Sequence, residues 1–389
     1  MVTLIKGGNV FAPEPLGTKD ILIGNGKILA IFDKDDVTIC GLQIDNVVAA
    51  KKNVFPALVD PHVHMLGGGG EGGPATRSPE MRIEDIVAAG VTTLIGCLGT
   101  DGITRHMTSL LAKARALEIE GVTTFIFTGS YEVPVQTITG SVRSDLVIID
   151  KVVGAGEIAV SDHRSSQPTF DEIARLAAEC RVGGLLGGKA GVLHLHLGDG
   201  QRRLNFLFRL IRETEIPPTQ VIPTHTNRNP ELFAEALEWV RQGGFIDVTI
   251  GLDPDPARDR EVPLEECLAR LLQDGLPIGN ITASSDANGS LPVFDDNGKL
   301  VRLTVATEGH LFRKFRDIVL KKILRPEEAI RIFSTNAAAF YKFRNKGRLA
   351  AGLDADLIMT DGDYLLTDVM AGGKWLVRDS KVIARSTFS

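Results

Sequence analysis

The stretch VFPALVDPHVHM, residues 54–65, joins a short apolar run to two histidines that are one residue apart. An apolar run of this length without polar alternation is typical of a parallel strand that is buried on both faces. Residues two apart in a strand share a face, so His62 and His64 present two imidazoles to one point. Taken alone, this pair is interpreted equally well as metal ligands or as hydrogen-bonded loop histidines.

Seven similar runs follow this first strand, separated by amphipathic segments of helical character. They are VTTLIGCLG (91–99), VTTFIFTG (122–129), EIAVSD (157–162), GVLHLHLG (191–198), TQVIPTH (219–225), FIDVTIG (245–251) and ITASSD (281–286). Eight strands that alternate with helices over about 285 residues are typical of a (β/α)8 TIM barrel. A doubly wound open sheet has the same periodicity, but the count of eight strand–helix repeats favours the barrel.

Both ends of the chain have β character instead. The first 55 residues contain short β-like runs broken by turns, and such runs return after Gly347. Chain termini are often adjacent in domains. The sequence therefore predicts an α/β protein in which residues 56–344 form the barrel and residues 1–55 plus 345–389 form a small β-sandwich domain.

Composition excludes several functional classes. The chain has 389 residues, is 43% hydrophobic and carries a net charge of −6, so it has no basic field to attract nucleic acid or an anionic membrane. Its four cysteines form no CxxC pair and are too few for a disulfide framework. No apolar stretch approaches the roughly 18 residues of a spanning helix, and the N-terminus has no signal-peptide pattern. We expect a soluble, cytoplasmic protein.

Further ligand-type residues lie at the ends of the later strands. Glu157 flanks the fourth strand, His194 and His196 lie in the fifth, His225 ends the sixth, and Asp286 ends the eighth. In a (β/α)8 barrel the carboxyl ends of all strands meet at one mouth. Imidazoles and carboxylates are costly to bury unpaired but suit borderline divalent metals such as zinc. The joint pattern therefore favours a metal centre over loop histidines.

The histidines differ in how strongly they point to this centre. His194 and His196 share a strand face, and either is a possible ligand. His196 lies nearer the carboxyl end and is therefore the predicted ligand, whereas His194 is interpreted as a core histidine. The remaining histidines are interpreted as structural: His106, His163 and His310. Asp101 and Asp247 are interpreted as loop or cap carboxylates.

These residues, in this order, resemble the amidohydrolase superfamily of metal-dependent hydrolases and, within it, the bacterial isoaspartyl (β-aspartyl) dipeptidases. The resemblance runs essentially from end to end. Its motifs are PHVHMLGGGGEGGPATRSPE (61–80), LGTDG (98–102), TGSYEVP (128–134), ITGSV (138–142), SDHRS (161–165), RVGGLLGGKAG (181–191), PTHTNRN (223–229), SSDANGS (284–290) and KGRLAAGLDADLIMTD (346–361). The HxH pair is shared across the superfamily, whereas the GGGGE loop, SDHR and PTHTNRN together are far more specific.

The resemblance implies a centre with two divalent metal ions, which in this family are zinc. It places His62 and His64 on one metal and His196 and His225 on the other. Asp286 then completes the shell of the first metal and faces a bridging hydroxide.

The residue that bridges the metals departs from the family pattern. The family uses a carboxylated lysine seven residues before the arginine of SDHR, here Arg164, and that position holds Glu157. A glutamate already carries the carboxylate but is shorter, so the backbone must come closer to the metals, which the glycines within 154–156 would allow. We predict Glu157 as the bridging carboxylate; the alternative is that Lys151 or Lys189 bridges.

The resemblance also implies the activity, which is hydrolysis of the isopeptide bond of β-aspartyl dipeptides by a metal-bridging hydroxide. Asp286 would take the proton of that hydroxide and deliver it to the leaving amine. Tyr131 would donate to the developing oxyanion, with an aromatic loop anchor as its alternative role. The substrate-binding set comprises a carboxylate and a hydroxyl for the ammonium and three donors for the carboxylates: Glu71, Thr100, Arg164, Arg228 and Ser290.

Two other functions stay open. Another amidohydrolase, acting on a cyclic amide or an N-acyl amino acid, would share the metals but would not need Glu71 for an ammonium. A non-catalytic scaffold relative would not need six converging ligands. The resemblance further implies a homo-oligomer, although no interface can be identified from the sequence.

Overall fold

The structure is a computed structural model that describes residues 2–36, 41, 43–250, 260–294 and 299–387. Its strands are β1 (Val2–Phe11), β2 (Pro15–Gly24), β3 (Lys27–Asp33), β4 (Ile44–Val48), β5 (Asn53–Pro56), β6 (Leu58–Val63), β7 (Val91–Gly96), β8 (Thr123–Thr128), β9 (Val152–Val160), β10 (Val192–Leu197), β11 (Val221–Thr224), β12 (Ile246–Thr249), β13 (Ile281–Ser284), β14 (Ser290–Phe294), β15 (Leu300–Val305), β16 (Leu357–Thr360), β17 (Leu366–Ala371), β18 (Lys374–Arg378) and β19 (Lys381–Val382). Its α-helices are α1 (Ile83–Ala88), α2 (Met107–Glu120), α3 (Val142–Ile148), α4 (Phe170–Gly187), α5 (Asn205–Glu213), α6 (Pro230–Arg241), α7 (Leu264–Gln273), α8 (Gly309–Leu320), α9 (Pro326–Ile330) and α10 (Asn336–Phe340). A π-helical segment, Arg331–Thr335, lies between α9 and α10.

Six consecutive strands, β6 to β11, form one curled parallel sheet in chain order. Every residue of β6, β7, β9 and β10 is buried, because helices cover the outer face and the strands enclose an interior. Strands β12 and β13 form a further parallel pair. Just after β13, Ala287 makes a parallel bridge to Val63 at the end of β6. The predicted α/β organisation with a parallel strand series is confirmed.

The helices between the strands begin and end where local chemistry favours it. Helix α4 has a capping box, in which the Thr169 side chain accepts from the Glu172 N–H and the Glu172 carboxylate accepts from the Thr169 N–H. It ends at Gly188, which takes the left-handed conformation with φ of 65°. Helix α3 packs closely on α4, because a Cβ at Gly183 would lie only 2.8 Å from a Leu146 methyl carbon. This contact holds the two helices together within the helical layer.

A nine-stranded sheet joins the two ends of the chain. Its order is β19-β18-β17-β16-β5-β1-β2-β3, and β4 pairs with β1. The connection is made by β5 and β16, which pair antiparallel with Pro56 opposite Leu357. This sheet has its own apolar core, which includes Ile5, Val10, Ile21, Met359 and Met370. The N- and C-terminal segments therefore form one β-rich region.

An antiparallel hairpin, β14–β15, follows the parallel strands and was not predicted from the sequence. Its first strand begins at Ser290, only four residues after Asp286, so it leaves the sheet at the carboxyl ends of the strands. Within the described ranges, no helix combines the length and the hydropathy needed to cross a membrane.

Candidate metal centre and substrate pocket

The end of β6 and the segment after β13 bring the first three predicted ligands together. The Asp286 N–H donates to the His62 carbonyl (3.1 Å), and the His64 N–H donates to the Ala287 carbonyl (2.8 Å). This pairing places Oδ1 of Asp286 3.0 Å from Nε2 of His64 and 3.6 Å from Nε2 of His62. The Asp286 backbone has φ of 53°, a left-handed conformation that aspartate tolerates better than most residues.

Glu157 reaches the same point through a β-bulge. The sequence places Glu157 at the start of a strand, but β9 already begins at Val152. In the register with β10, both Gly156 and Glu157 oppose the single residue His194, and this extra residue re-aims the glutamate side chain. The strands are in close contact here, because a Cβ at Gly156 would lie 2.8 Å from the Cβ of His194. Glycine before Glu157 therefore permits the close approach of the backbone that the shorter glutamate side chain requires.

The Glu157 carboxylate lies among all four predicted histidine ligands. Its Oε2 lies 2.9 Å from Nδ1 of His196, 3.3 Å from Nε2 of His62 and 3.6 Å from Nε2 of His225. Its Oε1 lies 3.3 Å from Nε2 of His64. The side chain is 1% exposed, so these contacts are shielded from solvent.

Two groups of ligand-type atoms result, each with members within 4.8 Å of one another. One contains His62, His64, Cys97 and Glu157, and the other contains Glu157, His196 and His225. Glu157 is the one residue common to both groups in the described part of the chain. Nε2 of His62 is buried and has no hydrogen-bond partner among the described residues, although it faces two carboxylates. A buried imidazole nitrogen in this position fits a cation better than a packed core.

The charges of these groups shift one another's pKa values. Burial raises the pKa of Glu157, but the charges and hydrogen bonds of His62, His196 and His225 outweigh burial and hold that pKa well below its usual range. Burial lowers the pKa of His62, yet the neighbouring acidic groups Cys97 and Glu157 raise it well above the ordinary value. The His225 pKa is lowered well below its ordinary value, first by burial and then by the nearby His196 charge. The carboxylates are thus ionised, as metal ligands must be.

Neighbouring side chains also contact ring nitrogens of three of the histidines and orient the rings. Nε2 of His196 lies 3.0 Å from Oδ2 of Asp162, and Nδ1 of His225 lies 2.6 Å from the Thr249 hydroxyl. Nδ1 of His62 lies 3.3 Å from the Thr224 hydroxyl. Such partners fix the ring orientation of metal-binding histidines.

A cavity of about 630 Å³ opens above this cluster, and every predicted substrate-binding residue lines it. The Glu71 carboxylate accepts from the Thr100 hydroxyl at 3.1 Å, from the Ser290 hydroxyl at 2.9 Å and from the Arg164 guanidinium at 3.3 Å. Arg164 also donates to Asp162 at 2.8 Å. Ser290, expected at a substrate carboxylate, is therefore a partner of Glu71 in this structure.

Tyr131 lies in the same cavity, beside the substrate-binding residue Arg228. The Tyr131 hydroxyl lies 2.9 Å from Nδ1 of His196, so this side chain is placed at the cluster. Arg228 lines the cavity, and its Nε is buried without a hydrogen-bond partner among the described residues.

The chain matches the family model described as "Amidohydrolase family" over residues 258–379. It is also 44% identical to the β-aspartyl dipeptidase of Fervidobacterium islandicum AW-1, solved in complex with β-Asp-Leu; the match covers 98% of each chain with a TM-score of 0.91. The chain belongs to the amidohydrolase family. A second structure of a β-aspartyl dipeptidase from F. islandicum AW-1 is 42% identical over 98% of each chain, with a TM-score of 0.89. These matches confirm the resemblance inferred from the motifs.

The chain is also similar to one curated relative with a different name. The adenine deaminase of Halalkalibacterium halodurans is 22% identical over 98% of this chain. The chain spans only 58% of the length of that deaminase.

The structure of this amidohydrolase separates the alternative bridging residues from the cluster. The Lys151 ammonium donates to Glu118, and the Lys189 ammonium donates to the Ile149 carbonyl. Both lysines thus have partners outside the cluster, whereas Glu157 lies within it.

Other residues of this amidohydrolase lie where the sequence analysis did not expect them. Asp247 is not a loop or cap group: it lies in β12, fully buried, and accepts from the hydroxyls of Thr224, Thr282 and Ser284. His163 was interpreted as structural, but it lines the cavity. His194, in contrast, is buried beneath the cluster, where its ring stacks on Phe127 at 4.6 Å.

Two residues at the site had no role in the predictions made from the sequence. Asp162 holds both His196 and Arg164 but was noted only as part of the SDHR motif. Cys97 was given no role, although it directly follows β7. The rule that selected His225 and Asp286, a ligand-type residue at a strand end, also selects Cys97.

Proposed function

We propose that this amidohydrolase cleaves the isopeptide bond of β-aspartyl dipeptides at a two-metal centre. The observation that carries the proposal is that Glu71, with its Thr100, Ser290 and Arg164 partners, shares one cavity with the histidine cluster around Glu157. A carboxylate in a water-accessible cavity suits the free ammonium of a β-aspartyl residue, and a cyclic amide or N-acyl substrate has no such group. The identity of 44% to a β-aspartyl dipeptidase supports the same activity.

We further propose that a closed (β/α)8 barrel places these groups. Strand β12 lies next to β11, and the bridge between Val63 and Ala287 links the end of β13 to β6. We assign residues 56–344 to the barrel, and residues 1–55 and 345–389 to a β-sandwich domain. In such a barrel the strand ends converge on one active-site mouth.

Two divalent cations fit the cluster. His62, His64 and Asp286 would hold one, His196 and His225 would hold the other, and Glu157 would bridge them without a carboxylated lysine. Imidazole and carboxylate ligands suit zinc. When bound, the cations would activate a water molecule as the nucleophile and polarise the substrate carbonyl.

The chain's own groups supply the remaining chemistry. The Asp286 carboxylate, ionised among imidazoles, accepts the proton of the attacking water and passes it to the leaving amine. The Tyr131 hydroxyl donates a hydrogen bond to the oxyanion that develops on the scissile carbonyl. Burial raises the pKa of Tyr131 well above its ordinary value, so its proton is retained for this role.

The cavity wall orients the substrate. Glu71 and Thr100 bind the α-ammonium, and Arg228, whose Nε lacks a protein partner among the described residues, binds a carboxylate. Arg164 and Ser290 complete this binding set while they hold Glu71 in place.

The test compares turnover of β-Asp-Leu with that of α-Asp-Leu by zinc-loaded enzyme. We expect a strong preference for the β-linked isomer. Equal turnover of the two isomers, or hydrolysis only of a cyclic amide or an N-acyl amino acid, would refute the proposal. Metal analysis of the same sample addresses the scaffold alternative, for which less than one metal per chain is expected after zinc loading.

We also propose that the enzyme is a homo-oligomer of the cytoplasm. The three described cysteines, Cys97, Cys180 and Cys267, are free thiols, which fits a reducing compartment. Light scattering on the purified protein would measure the oligomer size.

A further inference from the structure

Cys97 lies beside the predicted ligands because of strand pairing. Its N–H donates to the Val63 carbonyl (2.9 Å), which continues the pairing of β7 with β6 one residue beyond Gly96. The side chain is fully buried, and its Sγ lies 3.9 Å from both ring nitrogens of His64. Cys97 therefore lies just after β7, the strand next to the HxH pair, and its side chain points to the same centre.

The surrounding atoms form a ligand set rather than an ordinary core contact. Sγ of Cys97 lies within 4.8 Å of ligand atoms from His62, His64 and Glu157. Zn–S bonds of about 2.3 Å and Zn–N bonds of about 2.0–2.1 Å allow the sulfur and nitrogen ligands of one ion to lie at most about 4.4 Å apart. The observed 3.9 Å lies within that limit. Independently, the buried Nε2 of His62 in this group has no hydrogen-bond partner among the described residues.

The other described cysteines have different surroundings. Cys180 is buried in α4, and Cys267 is buried in α7; the Cys267 thiol donates to the Val262 carbonyl at 3.5 Å, as the Cys97 thiol does to the Val63 carbonyl. Neither belongs to a group of ligand-type residues in the described ranges. Burial alone thus does not distinguish Cys97, but its position among imidazoles and a carboxylate does.

We propose that Cys97 binds, as a thiolate, the metal ion held by His62 and His64. The inference rests on the two-metal centre proposed above. Binding forms a metal–sulfur bond and releases the thiol proton to solvent, as for any cysteine ligand. A soft thiolate favours zinc over magnesium or manganese at this position, and it makes the centre sensitive to thiol oxidation.

The test uses cobalt(II) in the metal-free full-length enzyme, followed by absorption spectroscopy. Visible d–d bands report that cobalt is bound, and a near-ultraviolet charge-transfer band reports a cobalt–thiolate bond. We expect both in the wild type and only the visible bands in Cys97→Ala. The matched control Cys180→Ala, also a buried cysteine, should keep both. Cobalt affinity should fall in Cys97→Ala by more than the roughly 10–100-fold typical of losing an indirect metal partner.

Each other outcome overturns the inference. Visible bands without the charge-transfer band in the wild type would show that the centre binds metal but that Cys97 only packs beside it. A charge-transfer band that survives in Cys97→Ala would assign the thiolate to another cysteine. Failure to bind cobalt would refute the two-metal centre itself, which separates that failure from the failure of the Cys97 assignment.

A second measurement needs no variant and so does not depend on the folding of Cys97→Ala. X-ray absorption of zinc-loaded wild type should show a sulfur shell at about 2.3 Å beside the nitrogen and oxygen shell at about 2.0–2.2 Å. A fit with nitrogen and oxygen alone would contradict the proposal.

Discussion

Two sets of buried carboxyl groups in this enzyme have opposite charge behaviour. Glu157 and Asp286, at the cluster, have pKa values held below their usual range, because nearby imidazoles outweigh burial. Where no imidazole contact outweighs it, burial dominates: it raises the pKa of Asp60 and of Glu308 to about 7, and the pKa of Asp247 also rises. Both sets are almost completely buried. The partners of a carboxyl, and not its burial, therefore decide which groups are ionised and ready for a cation.

Loss of the Glu157 carboxylate should have the largest effect on the enzyme. In Glu157→Ala the shared carboxylate is lost, so we expect the second metal and all measurable turnover of β-Asp-Leu to disappear. Metal content by elemental analysis and steady-state kinetics check this. The matched control Lys189→Ala should keep both metals, because Lys189 bonds to the Ile149 carbonyl outside the cluster.

The identity of the bridging group has its own check. Wild-type activity should not depend on added bicarbonate, because a glutamate needs no carbon dioxide to supply its carboxylate. Bicarbonate-dependent recovery of metal-free enzyme, or inactivity of Lys189→Ala, would show that a carboxylated lysine bridges instead.

The second carboxyl of the ionised set, Asp286, should be needed for proton transfer. Asp286→Asn retains a similar shape but cannot accept the proton, so kcat should fall about 10²–10⁴-fold at saturating metal. Asp199→Asn changes an exposed carboxylate of the same cavity and serves as the control. Similar kcat values for the two variants would remove Asp286 from the proton path.

Glu71 is a third kind of carboxylate: it lies at the cavity wall and accepts from two hydroxyls and an arginine. Glu71→Gln should weaken binding of the substrate ammonium by about 2 kcal/mol, which appears mainly as a KM for β-Asp-Leu that is about 30-fold higher. Succinyl-leucine, the same compound without the α-amino group, provides the control substrate. Its kcat/KM should not fall in Glu71→Gln. Full activity of Glu71→Gln on β-Asp-Leu would favour another amidohydrolase function.

Glu308 represents the second set, and its substitution should affect stability rather than activity. Its Oε1 is buried without a hydrogen-bond partner in the described ranges. Burial, with a contribution from the Asp85 charge, raises the Glu308 pKa from 4.5 to about 7. Between these values the folded state binds more protons than the unfolded state, so the free energy of unfolding falls as pH rises, by roughly 3 kcal/mol in total.

The measurement is denaturant unfolding of wild type and Glu308→Gln at pH 5 and pH 8. The glutamine variant does not titrate, so its stability relative to wild type should be greater at pH 8 than at pH 5 by roughly 3 kcal/mol. Asp85→Asn, made in the protein that keeps Glu308, should reduce the pH dependence of the free energy of unfolding, because the Asp85 charge contributes to the raised Glu308 pKa. A difference that is independent of pH would show that Glu308 is ionised in the folded state, as Glu157 is.

Much of the fold and the site follows from the sequence alone. Buried parallel strands have continuous apolar runs, and their carboxyl ends meet at one edge. The sequence alone therefore predicts that four histidines and one aspartate lie at one site: His62, His64, His196, His225 and Asp286. The position of Glu157 seven residues before the SDHR arginine identified the candidate bridge by resemblance. These are local patterns, fixed by strand periodicity and spacing.

Tertiary structure decided what depends on contacts between distant segments. A bulge against His194 aims Glu157 into the cluster, and no local pattern encodes that register. Strand pairing puts Cys97 beside His64, and burial among hydroxyl donors makes Asp247 a core carboxyl instead of a loop cap. The sequence determined which residue types lie at the carboxyl ends of the strands, because the apolar periodicity that marks each strand is a local property. Only the packed fold determined which of them share one point and in what charge state, because distance, burial and neighbouring charge arise from the whole chain.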